Sequence, residues 1–463
     1  MNLPQRYALL RTTAQFGWTL LTLLAADLIQ PSLTAPYSRQ LHGTACAAAE
    51  PSASGADRGI ADFTKLSAET DWPWWRGPAR NGIAAASAKA PPTTWSDSQN
   101  VIWKTAVPGR GHSSPIIVRD RVFLTTAQNK TQVHSVLGFD RATGKLLWQQ
   151  DVSQGGFPAH NHPKNTEATS TLASDGERLI ATFFHHETVE AIALDFDGQV
   201  QWRQKAGSFN PRRYEYGYAP SPLLYRNSVI MAMEYDGDSS IVALERSSGK
   251  SLWRTPRPAN ISFSSPVIAH LAGKDQLLMS GGGKITSLNP ATGKALWSTE
   301  GTATATCGTI VWDGDTVFAS GGYPQSETVA VKADGSGQVL WRNNQKCYEQ
   351  SMLAVDGYLY ALTDNGVVFC WRATDGQEQW KKRLQGPVSS SPVLAGGHIY
   401  WSNEGGITYV FKPNPKELEI VAENRLGDDG FASPAVVGNR LFLRGSKGSG
   451  DKRQEFLYCL GMQ

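Results

Sequence analysis

Six times between residues 138 and 380 the chain turns on a glycine and, a few residues later, places a tryptophan. The copies read GFDRATGKLLW ending at Trp148, ALDFDGQVQW at Trp202, ALERSSGKSLW at Trp253, SLNPATGKALW at Trp297, AVKADGSGQVLW at Trp341 and CWRATDGQEQW at Trp380. Steps of about 39 to 54 residues between tryptophans are the mark of a repeat architecture, in which each unit buries its apolar face against the next.

Each unit has the same inner order. An apolar run opens it, often after Ser-Pro, as in SSPIIV, PSPLLY, SSPVIA, SSPVLA and ASPAVV; a Gly or Asp turn follows, then a second strand, a third, the Gly turn and the Trp strand. Asp or Asn before Thr-Gly-Lys supplies a side-chain acceptor and then a residue tolerant of positive φ, which closes a hairpin without strain. Burying an indole is worth at most about 4 to 6 kcal/mol, enough for one anchor per unit to fasten an outer strand to its neighbour. No segment after residue 100 keeps a helical period. Four short strands per unit predict an all-β fold, a β-propeller of four-stranded blades.

Inner strands open near Pro115, Leu172, Pro222, Pro266, Ile310, Met352, Pro392 and Pro434, which gives eight blades, or seven if one repeat is degenerate. The seventh outer strand has lost its tryptophan and reads KELEIVAENRL, and the eighth repeat ends at FLYCLGMQ with no outer strand. The missing strand lies ahead of the first blade, as NVIWKTAV with Trp103. An N-terminal strand that completes the last blade removes two open sheet edges, so residues 99–463 read as one closed ring.

The TGKxLW units resemble the pyrroloquinoline-quinone-type repeat, a tryptophan-docking motif, across residues 99–463. Within the quinoprotein alcohol dehydrogenase-like superfamily, DWPWWRGPARNG, GRGHSSPII, HPKNTEATSTLASDGERLI and GFASPAVVGNRLFLR are similar to an exported, BamB-like group. That resemblance implies a non-catalytic scaffold binding a protein, or a polar small-molecule or glycan ligand, with no cofactor. The alternative branch implies an oxidoreductase using pyrroloquinoline quinone and calcium. Those enzymes carry a vicinal cysteine pair, absent here, and no catalytic residue is carried over from them. A hydrolase or lyase using the His-rich mouth is a third reading.

Formal net charge is +3, without a basic stripe, so nucleic acid is not an expected partner. Arg6 and Arg11 precede FGWTLLTLLAADLI, too short to span a bilayer comfortably, and Ala47 to Ala49 offer a cleavage site. Residues 1–49 therefore read as a signal peptide, with an uncleaved anchor or a lipid on Cys46 as alternatives. The expected location is the periplasm or cell envelope, with no transmembrane domain after signal removal. Residues 50–98 read as a flexible leader, over 50–70, and a Trp-rich extension covering the propeller wall or a channel mouth. Cys307 and Cys347 could pair in an oxidising compartment or remain separate thiols, whereas Cys370 and Cys459 fall in apolar strand runs.

In a propeller the loops leading into the inner strands gather at one mouth of the channel. Here they bring His112, then His160, His162, Lys164 and Asn165, then Arg212, Arg213 and Tyr214, and later Tyr348 and Glu349. Aromatic, Arg and His side chains together suit a polar, anionic or sugar-like ligand held by stacking and charge-assisted hydrogen bonds. His160 and His162 form a His-x-His pair with no third ligand in register, so no metal is expected.

Overall fold

The repeated turn works as its composition suggests. In the computed structural model, which describes residues 58–86 and 89–462, the Asp140 carboxylate accepts from the Thr143 amide at 2.8 Å and the Thr143 hydroxyl at 2.6 Å, and Gly144 follows at φ 74°. The hairpin sets Leu146–Gln154 antiparallel to Val133–Asp140. Asn289 repeats the device, accepting from the Ala291 amide at 2.9 Å ahead of Gly293 at φ 70°.

Eight four-stranded antiparallel sheets result. Seven are simple meanders over residues 116–154, 173–208, 223–256, 267–300, 311–343, 353–383 and 393–425. The expected inner strands begin at Ile116, Ala173, Leu223, Val267, Val311, Leu353, Val393 and Ala435, each one residue after its sequence marker. Inner and middle strands are buried almost throughout because sheets cover both their faces. Outer strands such as Leu146–Gln154 mostly alternate between half-buried and exposed.

The turn and the tryptophan recur together because they touch. Trp103, Trp148, Trp202, Trp253 and Trp341 each lie flat on the turn glycine of the next blade, respectively Gly144, Gly198, Gly249, Gly293 and Gly376. A Cβ on any of these glycines would sit 2.5 to 2.9 Å from the indole, closer than carbon atoms approach, and all five have positive φ. Indole Nε1 atoms then donate to a carbonyl of the receiving turn: Trp103 to Arg141 at 3.0 Å, Trp148 to Phe196 at 2.8 Å, Trp202 to Arg246 at 3.0 Å, Trp341 to Ala373 at 2.8 Å and Trp380 to Asn414 at 2.9 Å. Two positions depart: Trp297 donates within its own blade to Gln276 Oε1, and Trp253 Nε1 has no partner among the described residues.

The eighth sheet closes the ring. Val101–Val107 pairs antiparallel with Gln454–Leu460, Trp103 opposite Cys459 and Val107 opposite Glu455, so the front of the propeller is the outer strand of its last blade. A buried ion pair reinforces this seam. Arg444 Nη2 lies 2.6 Å from Glu455 Oε2, both side chains are 2% exposed, and Arg444 Nη1 donates to Ser113 Oγ and the Thr125 carbonyl of the first blade.

Ahead of that strand, the stretch expected to be a flexible leader is packed from its first described residues. Arg58–Ala61 forms a short helix, and Ile60 and Phe63 are buried, Phe63 edge-on to Trp74 at 5.4 Å, because the apolar side chains find a core to enter. The Trp-rich extension crosses the channel over the inner strands. Trp72 exchanges both backbone hydrogen bonds with Ile117, Pro73 accepts from Ser174, Arg80 donates to the Leu224 carbonyl, Arg76 to Met352, and Leu394 to Gly82. Trp95, further along, stacks with Tyr400 at 6.4 Å.

The two cysteines considered as a pair are not joined. Cys347 is buried in the core between the fifth and sixth blades and its amide donates to Ser320 Oγ, whereas Cys307 faces the channel beside Tyr348, so the thiols occupy different packing environments. Cys370 and Cys459 are fully buried. The expected signal peptide, 1–49, and Cys46 lie outside the described residues.

Candidate functional site

The serine or threonine that opens each inner strand does more than start it. Backbone amides donate from blade to blade: Ser114 to Thr171 Oγ1 at 3.0 Å, Thr171 to Ser221 Oγ at 3.0 Å, Ser221 to Ser265 Oγ at 3.0 Å, Thr309 to Ser351 Oγ at 3.0 Å, Ser351 to Ser391 Oγ at 2.9 Å, Ser391 to Ser433 Oγ at 2.8 Å and Ser433 to Ser114 Oγ at 3.1 Å. This hydroxyl belt runs round the channel with one link open, between Ser265 and Thr309. There Thr309 Oγ1 accepts instead from Trp75 Nε1 at 2.9 Å, which pins the extension across the axis.

Above the belt a cavity with about 170 Å³ of water-accessible space opens to the mouth. Trp75 forms part of its floor, and Tyr216, Phe263, Tyr348 and Phe431 stand round it. Tyr216 and Phe263 lie near parallel at 6.0 Å and 28°, and His112 stacks on Phe431 at 4.3 Å and 9°. On one side Lys164 Nζ is 2.7 Å from Glu404 Oε1 and 3.8 Å from Glu349 Oε2, while Ser389 Oγ is hydrogen-bonded to both carboxylates. One hydroxyl proton cannot serve two carboxylates, and burial pushes the Glu349 carboxyl above the usual range, so Glu349 can supply the second proton. Burial alone would depress Lys164; its hydrogen bond to Glu404 and the charges of Glu349 and Glu404 outweigh that and hold it above the usual lysine range.

Burial, and then the positive charges of Arg110, Arg444 and Arg453, keep His112 neutral, well below its ordinary pKa, and its Nε2 is buried without a hydrogen-bond partner among the described residues. His162 is lowered by burial and by Lys164, and packs edge-on to Tyr216 at 4.8 Å. The Cys307 thiol is pushed up by burial and by Glu349.

Of the residues nominated from sequence, His112, His162, Lys164, Asn165, Tyr348 and Glu349 line this cavity. His160, Arg212 and Arg213 do not; they are exposed on the rim, with Tyr214 half-buried beside them. The Arg212 and Arg213 amides both donate to the Asp236 carboxylate at 2.9 and 2.8 Å, which turns the loop outward. Sequence reasoning missed Trp75, Ser389, Glu404, Phe431 and the belt. The belt had a signal, since a serine or threonine opens every repeat, but its cross-blade bonding needs the ring. At the opposite ends of the inner strands, beyond the extension, lies a second hollow of about 740 Å³, lined among others by Arg80, Asp62, Asp275, Asp313 and Asp356.

Fold and site define a closed eight-bladed tryptophan-docked propeller whose channel is crossed by its own N-terminal extension. The family model described as "Outer membrane protein assembly factor BamB" matches residues 52–156, 132–353 and 325–448, and the chain belongs to that family. It is 24% identical over 357 residues to the outer membrane protein assembly factor BamB of Burkholderia pseudomallei (strain K96243), covering 67% of this chain and 87% of that one. The crystal structure of BamB from Moraxella catarrhalis superposes with a TM-score of 0.56 at 15% identity, over 77% of this chain and 99% of that one. A europium-containing methanol dehydrogenase gives 0.64 at 11% identity, over 87% and 100%, a likeness of fold alone.

The cavity does not fit the quinone cofactor that the dehydrogenase branch implies. Pyrroloquinoline quinone is a tricarboxylate, and Lys164, the one Lys or Arg among the described residues lining the cavity, is already paired with Glu404. Of the cations near His112, Arg444 and Arg453 are already paired with Glu455 and Asp429, and Arg110 does not line the cavity.

Proposed function

We propose that the protein is an exported, non-catalytic propeller of the cell envelope that presents a rim surface to partner proteins. Family membership supports this, and the relatives are named for assembly of outer membrane proteins. Among the described residues no helix is long and apolar enough to cross a membrane.

The observation that carries the reading is the composition of the rim. Tyr323 is 51% exposed and meets Tyr214 edge-on at 5.6 Å, with Arg212 and Arg213 exposed alongside. Tyr and Arg are the side chains that most often dominate protein–protein binding energy. Tyr214 also holds a left-handed backbone, φ 53°, a conformation that costs about 1 kcal/mol or more and persists where something gains from it.

Site-directed photo-crosslinking from Arg213 in cells tests the reading. Adducts to an envelope protein, lost in a Tyr214→Ala/Tyr323→Ala variant, are the expected result. No adduct, together with dye reduction by alcohols in the presence of pyrroloquinoline quinone and Ca²⁺, would overturn it.

A further inference from the structure

The channel cavity is a different surface from the rim, and its chemistry is unusually complete. At its floor Thr171, Ser221, Ser265, Thr309 and Ser433 each accept an N–H, from Ser114, Thr171, Ser221, Trp75 and Ser391. A hydroxyl also carries one donor proton, and none of these five gives it to an acceptor among the described residues. The floor therefore offers five unspent donors. Beside them Glu349 lines the cavity, and its Oε1 is an acceptor outside the contacts that Ser389 and Lys164 make with Oε2. The walls are ring faces: Phe263 against Tyr216, and Phe431 backed by His112.

Ligand classes can be ranked by what each leaves unpaired. An apolar molecule would strand the floor hydroxyls and the Glu349 carboxyl, each unsatisfied group costing about 1–3 kcal/mol. A small anion would meet the Glu349 carboxyl and, in Lys164, a cation already paired with Glu404. An organic cation would suit the rings but leave the donor floor without acceptors. A neutral ring bearing several hydroxyls pairs with all three surfaces, since its oxygens accept from the floor, an O–H group donates to Glu349, and its C–H face lies on an aromatic ring.

We propose that this cavity binds a single neutral polyhydroxylated ring of monosaccharide or cyclitol size, free or as the end of a short chain. Phe263 and Phe431 supply the stacking faces, Glu349 accepts from a ring hydroxyl, and the belt donates from below. This site is independent of the rim and stands or falls without it.

The test titrates the purified protein with D-glucose, N-acetyl-D-glucosamine, myo-inositol and cellotriose, following tryptophan fluorescence and calorimetric heat. At least one should saturate with a Kd of about 1 mM or tighter, a range open to a ligand of this size. Glu349→Gln and Phe263→Leu should each weaken binding at least about tenfold, equivalent to about 1.4 kcal/mol, in protein that still unfolds cooperatively. Arg212→Ala on the rim should leave the Kd alone. Saturation by cellotriose with the same dependence assigns a chain end, and saturation by the small rings alone assigns a free ligand. If none of the four saturates, or if binding survives both substitutions, the proposal is wrong.

Discussion

The perimeter and the channel of this propeller obey different rules. On the perimeter one contact repeats: an indole lies on the next blade's turn glycine, as Trp103 does on Gly144 and Trp341 on Gly376. In the channel, above the hydroxyl belt, the charged and polar side chains differ from blade to blade. The first brings His112, the loop before the second brings Lys164, the sixth brings Glu349, the seventh Ser389 and Glu404, and the extension brings Trp75. Regularity outside makes a rigid frame from nearest-neighbour contacts, and that frame holds an irregular set of side chains inside. Changes to the perimeter should therefore move stability and leave ligand binding alone, and changes to the channel should do the reverse.

The largest effect is expected from deleting residues 99–107. It removes the outer strand of the eighth blade and the tryptophan that docks on Gly144, and should abolish cooperative unfolding near the wild-type midpoint. Next comes Gly376→Ala, whose Cβ would sit 2.6 Å from Trp341 on a backbone at φ 71°. Denaturant titration should show a loss of about 2–4 kcal/mol.

A sharper version compares two tryptophans that each lie on a turn glycine but bond differently. Trp202→Phe forfeits the hydrogen bond to Arg246, while Trp253→Phe forfeits none, so the first should cost about 1 kcal/mol more than the second. Equal losses would mean that indole packing alone fastens the blades.

The last test concerns pH. His134 is buried between Phe157 and Phe183, and burial first, then repulsion from His185, takes its pKa down to about 3. Between that value and an unfolded pKa of about 6.5 the unfolded chain binds the extra proton, so this contribution to stability is lost as pH falls through that window. A His134→Asn variant should lose less stability than the wild type between about pH 6 and 4, measured by thermal midpoint.

Legibility followed the same division. Glycine, tryptophan and the serine that opens each blade lie at fixed offsets, and their partners lie one repeat away, so blade number, strand starts and the closing role of Trp103 could be read from the chain. The loops leading into the inner strands led to Lys164 and Glu349 for the same reason. Glu404 stayed hidden because it sits in the turn after His398–Ser402, a position marked by no motif, and reaches Lys164 only across the ring. Trp75 was visible as one of several tryptophans, but its bond to Thr309 depends on where the extension crosses the axis. Arg212 and Tyr214 lie on a loop long enough to turn away from the channel, a choice made by two hydrogen bonds to Asp236 that composition does not announce.

Amide hydrogen exchange over residues 101–107 tests the closed ring most directly. Those amides should exchange as slowly as those of 454–460 and open together with them, because the two strands form one sheet. Exchange of 101–107 at the rate of an unpaired segment, while 454–460 stays protected, would contradict the closure on which the frame, and every site within it, depends.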